Sequence, residues 1–388
     1  MYSIKIIIYS YYKYKKNQNP TIINYKINGE YMSNSVENLE ENRNQCKSRW
    51  ILILLIGLLS MFIPEVFAGS SGPIWFLNPV GLILAFPLYL FHSMLFINLA
   101  VRTKKTSIPQ LYLWGVIFGL YESWITKVLW YGFPGSPGPI FGYYLGVAIL
   151  EFSILVLFWH PVFAFVIPIL VYESFTDLED SSTNIENKIF MSHLPYLTST
   201  KRNLFVYIFL IVVGASFLTR NSGYNIFAVV ISIVGSVALI YLLFKLGRRK
   251  NHSISIYSLQ LGKKGFSLVI VYIILLYLIT FFILLPEKLP TSAIPYLTII
   301  GFYVFVEFMI FHSIPTKEKN VERKVDEEKI IPKMFFFKLF GLFLIIAIIF
   351  CLLPPLGMII QSILAPILVF GAPVLFLFLL IKALKGKD

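Results

Sequence analysis

The chain predicts an all-α fold, a polytopic transmembrane helical bundle of about ten spans. Three observations carry this. Of its 388 residues 57% are hydrophobic and only 14% charged, where soluble domains carry about a quarter charged residues. About ten apolar runs lie between Trp50 and Leu384, each close to the ~20 residues that a helix needs to cross a hydrocarbon core of about 30 Å. Lysines and arginines gather in alternate gaps between the runs, the pattern of the positive-inside rule. Barrel strands would alternate apolar and polar residues, and these runs do not. The net charge of +13 comes from short clusters at helix ends, so no nucleic-acid partner is implied. Cys46 and Cys351 are far apart on different elements. That spacing supports no disulfide framework, iron–sulfur site or thiolate zinc site, and no metal or cofactor is expected.

Residues 1–49 are rich in Lys, Asn, Ile and Tyr and lack a helical period. They read either as a disordered cytoplasmic tail or, for 1–31, as sequence upstream of a start at Met32. The first span, 50–68, follows Lys47 and Arg49 and ends Val66-Phe67-Ala68-Gly69. Small residues there fit signal-peptide cleavage, but the run is long for a signal, and a retained span is expected. The remaining spans are read at 77–100, 109–131, 140–160, 203–219, 225–245, 266–285, 293–313, 334–353 and 359–381. The gaps 69–76, 132–139 and 354–358 hold no Lys or Arg, whereas Arg102, Lys104 and Lys105 share one gap and Arg248, Arg249, Lys250, Lys263 and Lys264 another. Residues 317–333 and the C-terminus are also Lys-rich. Both termini and every basic gap are thereby expected in the cytoplasm of a cell-membrane protein.

The apolar stretch 140–175 tests this topology, because two spans there would place Arg248–Lys250 outside. Pro161 and Pro168 each disrupt a helix, so 162–175 is expected to be a re-entrant or interfacial piece. An N-terminal membrane module (50–175), a polar linker (176–202) and a C-terminal module of three helical hairpins (203–388) follow. Leu284-Leu285-Pro286 and Leu352-Leu353-Pro354 are either a weak tandem repeat or convergent hairpin composition. The segment Gly132 to Pro139, with Phe133, reads as a tight turn or an outer lid.

Ionisable groups inside spans are costly and usually face the bundle interior or a cavity. They are Glu122 and Lys127 on the third span, Glu151 on the fourth, Glu307 on the eighth and His92 on the second. At 1.5 Å rise per residue, Glu122, Glu151 and Glu307 come to about 15, 18 and 21 Å below the outer end of their helices. Three carboxyls at one depth make a candidate proton relay or binding site. Gly115, Gly119, Glu122 and Thr126 share a helix face, and small residues at that spacing let helices approach closely. Glu122 is therefore expected to face protein. Gly142 and Gly146 suggest a second such face, with Glu151 about 140° around the helix, so no direct Glu122–Glu151 contact follows. Lys127 is expected to snorkel outward, and His160 and His312 to be interfacial.

The stretch Asn78-Pro79, Gly81, Tyr89, Arg102 and Gly119-Leu120-Tyr121-Glu122 resembles a family of prokaryotic multi-pass membrane proteins without assigned activity. The resemblance covers about residues 78–127 and implies a membrane bundle, with Ser123 where the pattern has a second acid. Glu122 and Lys127 also echo the Glu-Glu-x-x-x-Arg motif of CAAX-processing intramembrane proteases. Ser123 and Lys127 depart from that motif, the later Phe-x-x-x-His of the pattern is Val156-x-x-x-His160 here, and no transmembrane His-x-x-x-Asn follows. Metal-assisted hydrolysis is accordingly not expected. The sequence favours a secondary transporter or permease with a midplane site in the first four spans. Pro87 and the break at 160–168 fit the interrupted helices of such sites. Glu122 would couple a proton or cation to a small solute, with Glu151, Glu307, His92 and Thr126 as partners. The competing reading is a non-catalytic component that binds another membrane protein or lipid.

Overall fold

The computed structural model describes residues 48–72, 78–79, 81–133, 136–176, 188–248, 254–316, 331 and 334–386. The N-terminal tail with Met32, part of the linker (177–187) and the basic segment 317–330 lie outside the described residues. Nine of the described helices are long and apolar enough to cross a membrane. They are α1 (Ser48–Phe67), α2 (Gly81–Thr103), α4 (Ile149–Ser174), α5 (Lys201–Asn221), α6 (Ile226–Gly247), α7 (Lys263–Ile283), α8 (Ile294–His312), α9 (Met334–Leu352) and α10 (Pro354–Lys385). A further helix, α3 (Ile108–Thr126), is less apolar, yet its 19 residues span about 28 Å. With α3 the bundle has the expected number of crossings.

Burial separates centre from rim. In α1 and α4 78% and 83% of the apolar window is buried, against 11% in α7, so α1, α3 and α4 form the middle. Rim side chains such as Phe227, Ile283 and Leu297 are exposed. Exposed apolar surface on this scale marks a lipid-facing protein. Successive helices run in opposite directions, so Arg49, Arg102, Lys105, Lys201, Arg248, Lys263 and Lys382 all fall at one end of the bundle. Arg102 there donates to the Leu261 carbonyl (2.8 Å), and Lys105 donates to the Ser313 carbonyl.

The 162–175 segment is not re-entrant. It is the second half of α4, which runs unbroken through Pro161 because Phe152–Val166 is wound as a π-helix. Proline removes one backbone donor, which in this i→i−5 winding would serve the Val156 carbonyl, and the Tyr112 hydroxyl of α3 donates to the adjacent Leu157 carbonyl. In α10, an α-helix, the carbonyl freed by a proline is matched directly: Ser153 of α4 donates to the Val369 carbonyl, four residues before Pro373. The sequence pattern shows the prolines but not the hydroxyls that bond beside them.

The start of the fourth span is also corrected. Residues 143–148 form a small hairpin, β1 (Tyr143–Tyr144) against β2 (Val147–Ala148). Leu145 and Gly146 make its turn, both with positive φ, as a two-residue hairpin of this hand requires. Gly142 and Gly146 are thus turn glycines, not a helix-packing face. At the far side of the same loop, a Cβ on Gly132 would meet the Gly138 backbone at 2.8 Å, the closeness of a tight turn. Part of the expected linker is packed rather than solvated. At the basic end Glu173 Oε2 lies 2.6 Å from His193 Nδ1, His193 Nε2 lies 2.8 Å from the Thr106 carbonyl, and Phe190 N donates to Glu173 Oε1 at 2.9 Å.

Candidate functional site

The face predicted from Gly115, Gly119 and Glu122 does pack inside the bundle. A Cβ on Gly115 would fall 2.5 Å from Pro161 Cα, and one on Gly119 3.1 Å from both His160 Cβ and Val156 Cα. This contact sets α3 on the π-helical stretch of α4 and delivers Glu122 to His160. Glu122 Oε2 and His160 Nε2 are 3.0 Å apart, with side-chain exposures of 17% and 4%. The other ring nitrogen, Nδ1, is 2.9 Å from the Leu155 carbonyl. A carbonyl only accepts, so Nδ1 carries a hydrogen and a single further proton bridges Nε2 and the carboxyl. His160 is therefore not interfacial, as its place before Pro161 suggested, but the partner of Glu122.

A second carboxyl, which the sequence reading missed, stands beside this pair. Glu65 lies in the last turn of α1 and is buried. Its oxygens accept from Ser70 Oγ (2.8 Å), Ser71 Oγ and the Tyr89 hydroxyl of α2. The chain after α1 turns back to make this possible, with Ser71 N donating to the Glu65 carbonyl at 3.1 Å. Glu65 and Tyr89 both lie within electrostatic reach of Glu122. The signal was available: an acid at the end of an apolar run, followed by two serines.

His92 joins the group from α2. Its Nδ1 donates to the Leu88 carbonyl at 2.7 Å, so its buried Nε2 presents a lone pair with no hydrogen-bond partner among the described residues. Its ring stacks parallel on Phe118 at 4.7 Å, and Phe118 in turn lies 5.9 Å from His160. Glu65, Tyr89, His92, Glu122 and His160 thus form one cluster from four helices, α1 to α4. Chemically it can hold and pass protons: one carboxyl satisfied by three hydroxyls, one carboxyl sharing a proton with an imidazole, and one imidazole with a vacant lone pair.

The remaining expected members are placed elsewhere. Glu151 is in the first turn of α4, because that helix starts at Ile149 rather than 140; it is about 3 Å from the helix end instead of about 18 Å deep. It is buried, with Oε1 3.4 Å from Ile140 N and Oε2 unpartnered among the described residues. Glu307 sits on the exposed face of α8, away from the interior. Thr126 is half-buried and its hydroxyl donates to the Glu122 carbonyl at 3.2 Å, so it closes the last turn of α3. Glu122 itself is about 6 Å from the end of α3, since that helix stops at Thr126. The common mid-bilayer depth of three carboxyls does not hold.

Lys127 does not snorkel outward. It takes a left-handed conformation (φ 61°) at the end of α3 and is fully buried. Its ammonium donates to the Thr280 carbonyl (3.1 Å) and the Leu284 carbonyl, and lies 5.6 Å from the Phe281 ring centre. It caps the C-terminal end of α7, where a cation is favoured by the helix dipole.

No solved structure matches the chain. A protein of Archaeoglobus fulgidus described as "Uncharacterized protein" is 40% identical over 122 residues, which are 31% of this chain and 37% of that relative. The chain therefore spans little more than a third of that relative's length in the match. A sequence profile described as "Uncharacterized membrane protein family" matches residues 54–385. This span covers α2 to α10 and most of α1, and with the apolar rim it makes the protein a multi-pass membrane protein belonging to that family.

Proposed function

We propose that the protein is a proton-linked permease of the cell membrane, with its basic end and both termini in the cytoplasm. The observation that carries this is the Glu122–His160 pair. Two titratable groups share one proton inside a bundle, and Glu122 retains 17% of its side-chain surface. Ionisable groups buried in membrane helices are costly and mark ion pathways and proton relays. The π-helical stretch that bears His160 supports the reading, because such windings recur at functional sites. In this mechanism the proton moves between Glu122 and His160, and α3 and α4 rearrange around their glycine–proline contact as it leaves. Glu65, held by three hydroxyls, keeps the neighbourhood acidic, and His92 Nε2 accepts the proton in transit.

One observation favours a second reading. Glu122 and His160, the two surviving positions of the protease-like pattern, are in contact, which is also the geometry of a general base poised to deprotonate water. Lys127, at the position of that pattern's arginine, instead caps α7.

The test uses a protein with Cys46 and Cys351 replaced and single cysteines placed at 122, 151 and 307. A membrane-impermeant thiol reagent should label position 122 from one side and leave lipid-facing position 307 silent. In the native protein, a pH step should give an infrared carboxyl band that Glu122→Gln removes. Silence at 122 together with no such band would sink the permease reading and leave a dry bundle that binds another membrane protein or lipid. Hydrolysis of a membrane-embedded ester or amide in detergent, without any gradient, would select the second reading.

A further inference from the structure

The end of the bundle opposite the basic loops carries a pocket of about 430 Å³, lined by Trp130, Tyr131, Tyr143, Glu287 and Lys288 among others. Three aromatic side chains, one acid and one base converge there from the turn after α3, the β1–β2 hairpin and the α7–α8 loop. The hairpin is fixed in place, because the Tyr143 hydroxyl donates to the Trp130 carbonyl at 2.9 Å and Gly146 abuts Pro295. Lys288 already lies 4.6 Å above the Tyr131 ring, so the aromatic wall accommodates a cation. The Trp130 indole N–H is buried and has no hydrogen-bond partner among the described residues.

The pocket is joined to the proton cluster by continuous aromatic contact. Trp130 meets Trp124 at 4.7 Å, Trp124 meets Tyr277 at 5.9 Å, Tyr277 meets Tyr121 at 4.8 Å, and Tyr121 meets His92 at 4.1 Å. A ligand that moves Trp130 therefore touches the first of a series of packed rings that ends at His92.

We infer that this pocket is the entry site for a small zwitterion, an α-amino acid or a betaine, which deepens the permease reading and rests on it. The charges select this class. A bare cation would meet Lys288 and the field of buried Lys127, and a bare anion would meet Glu287, which lies within electrostatic reach of Lys127. A zwitterion places its carboxylate toward Lys288 and its ammonium against Glu287 and the faces of Tyr143 and Trp130. Aromatic faces favour quaternary ammonium groups in particular.

The experiment is calorimetric titration of the purified full chain in lipid nanodiscs with glycine betaine, with choline and propionate as the cation-only and anion-only controls. Glycine betaine should bind saturably and the controls should not. Lys288→Ala and Glu287→Gln, both surface changes, should each weaken binding about tenfold. Trp130→Phe should remove the accompanying tryptophan fluorescence change. Glu122→Gln should leave binding intact, which separates this site from the proton carrier. No saturable binding of betaine, equal binding of choline or propionate, or indifference to Lys288→Ala and Glu287→Gln would each overturn the inference. The aromatic residues would then be an interfacial belt.

Discussion

Replacing Gly115 by alanine tests the geometry on which the site depends. The added Cβ would sit 2.5 Å from Pro161 Cα, 3.0 Å from Pro161 Cβ and 3.2 Å from its carbonyl oxygen. None of these atoms can rotate aside, because all belong to backbone or to the proline ring. Ordinary carbon contacts are about 3.5–4.0 Å, so α3 and α4 must separate by at least about 1 Å. Overpacking of this kind costs about 1–3 kcal/mol, partly offset by the ~0.5–1 kcal/mol that alanine gains over glycine in a helix. The expected net loss is about 1–2 kcal/mol, read as an earlier unfolding midpoint in an SDS titration of mixed micelles. Glu122 lies on the same face, and its 3.0 Å contact with His160 would open to about 4 Å, beyond hydrogen-bond range. The infrared carboxyl band should shift with it. Gly371→Ala is the control, since nothing lies within 4 Å of that position. A Gly115→Ala protein with the midpoint and band of the native chain would refute the close α3–α4 contact.

Two further outcomes are expected. Ser153→Ala should cost about 1–3 kcal/mol by leaving the Val369 carbonyl unpaired, while the same change in a Pro373→Ala background should cost much less. Equal costs in both backgrounds would show that the proline is not what frees that carbonyl. Lys105, between α2 and α3, is held below the ordinary lysine pKa by burial. The folded chain then binds that proton less tightly than the unfolded chain, so stability rises with pH from the folded pKa up to about 10.4. Lys105→Met should flatten that rise in SDS titrations taken across the alkaline range, and parallel profiles would contradict it.

Run length, charge placement and helical period determined much of this protein. Each is a local consequence of the ~30 Å hydrocarbon slab, so ten crossings, their alternating direction and the inward Gly115–Gly119–Glu122 face were legible. Pairing was not, because it depends on where helices begin and how they wind. Glu151 lost its depth when Gly142 and Gly146 proved to be turn residues, and Glu307 lost its place because period alone does not say which face of α8 meets lipid. His160 looked terminal beside Pro161, but α4 runs on through that proline in a π-wound stretch and turns that ring onto Glu122. Glu65 acquired its role from Tyr89 and from two serines of a turn. The cluster of Glu65, Tyr89, His92, Glu122 and His160 is thus a product of tertiary packing, since hydrogen-bond partners from separate helices are set by crossing geometry that no single run of sequence encodes.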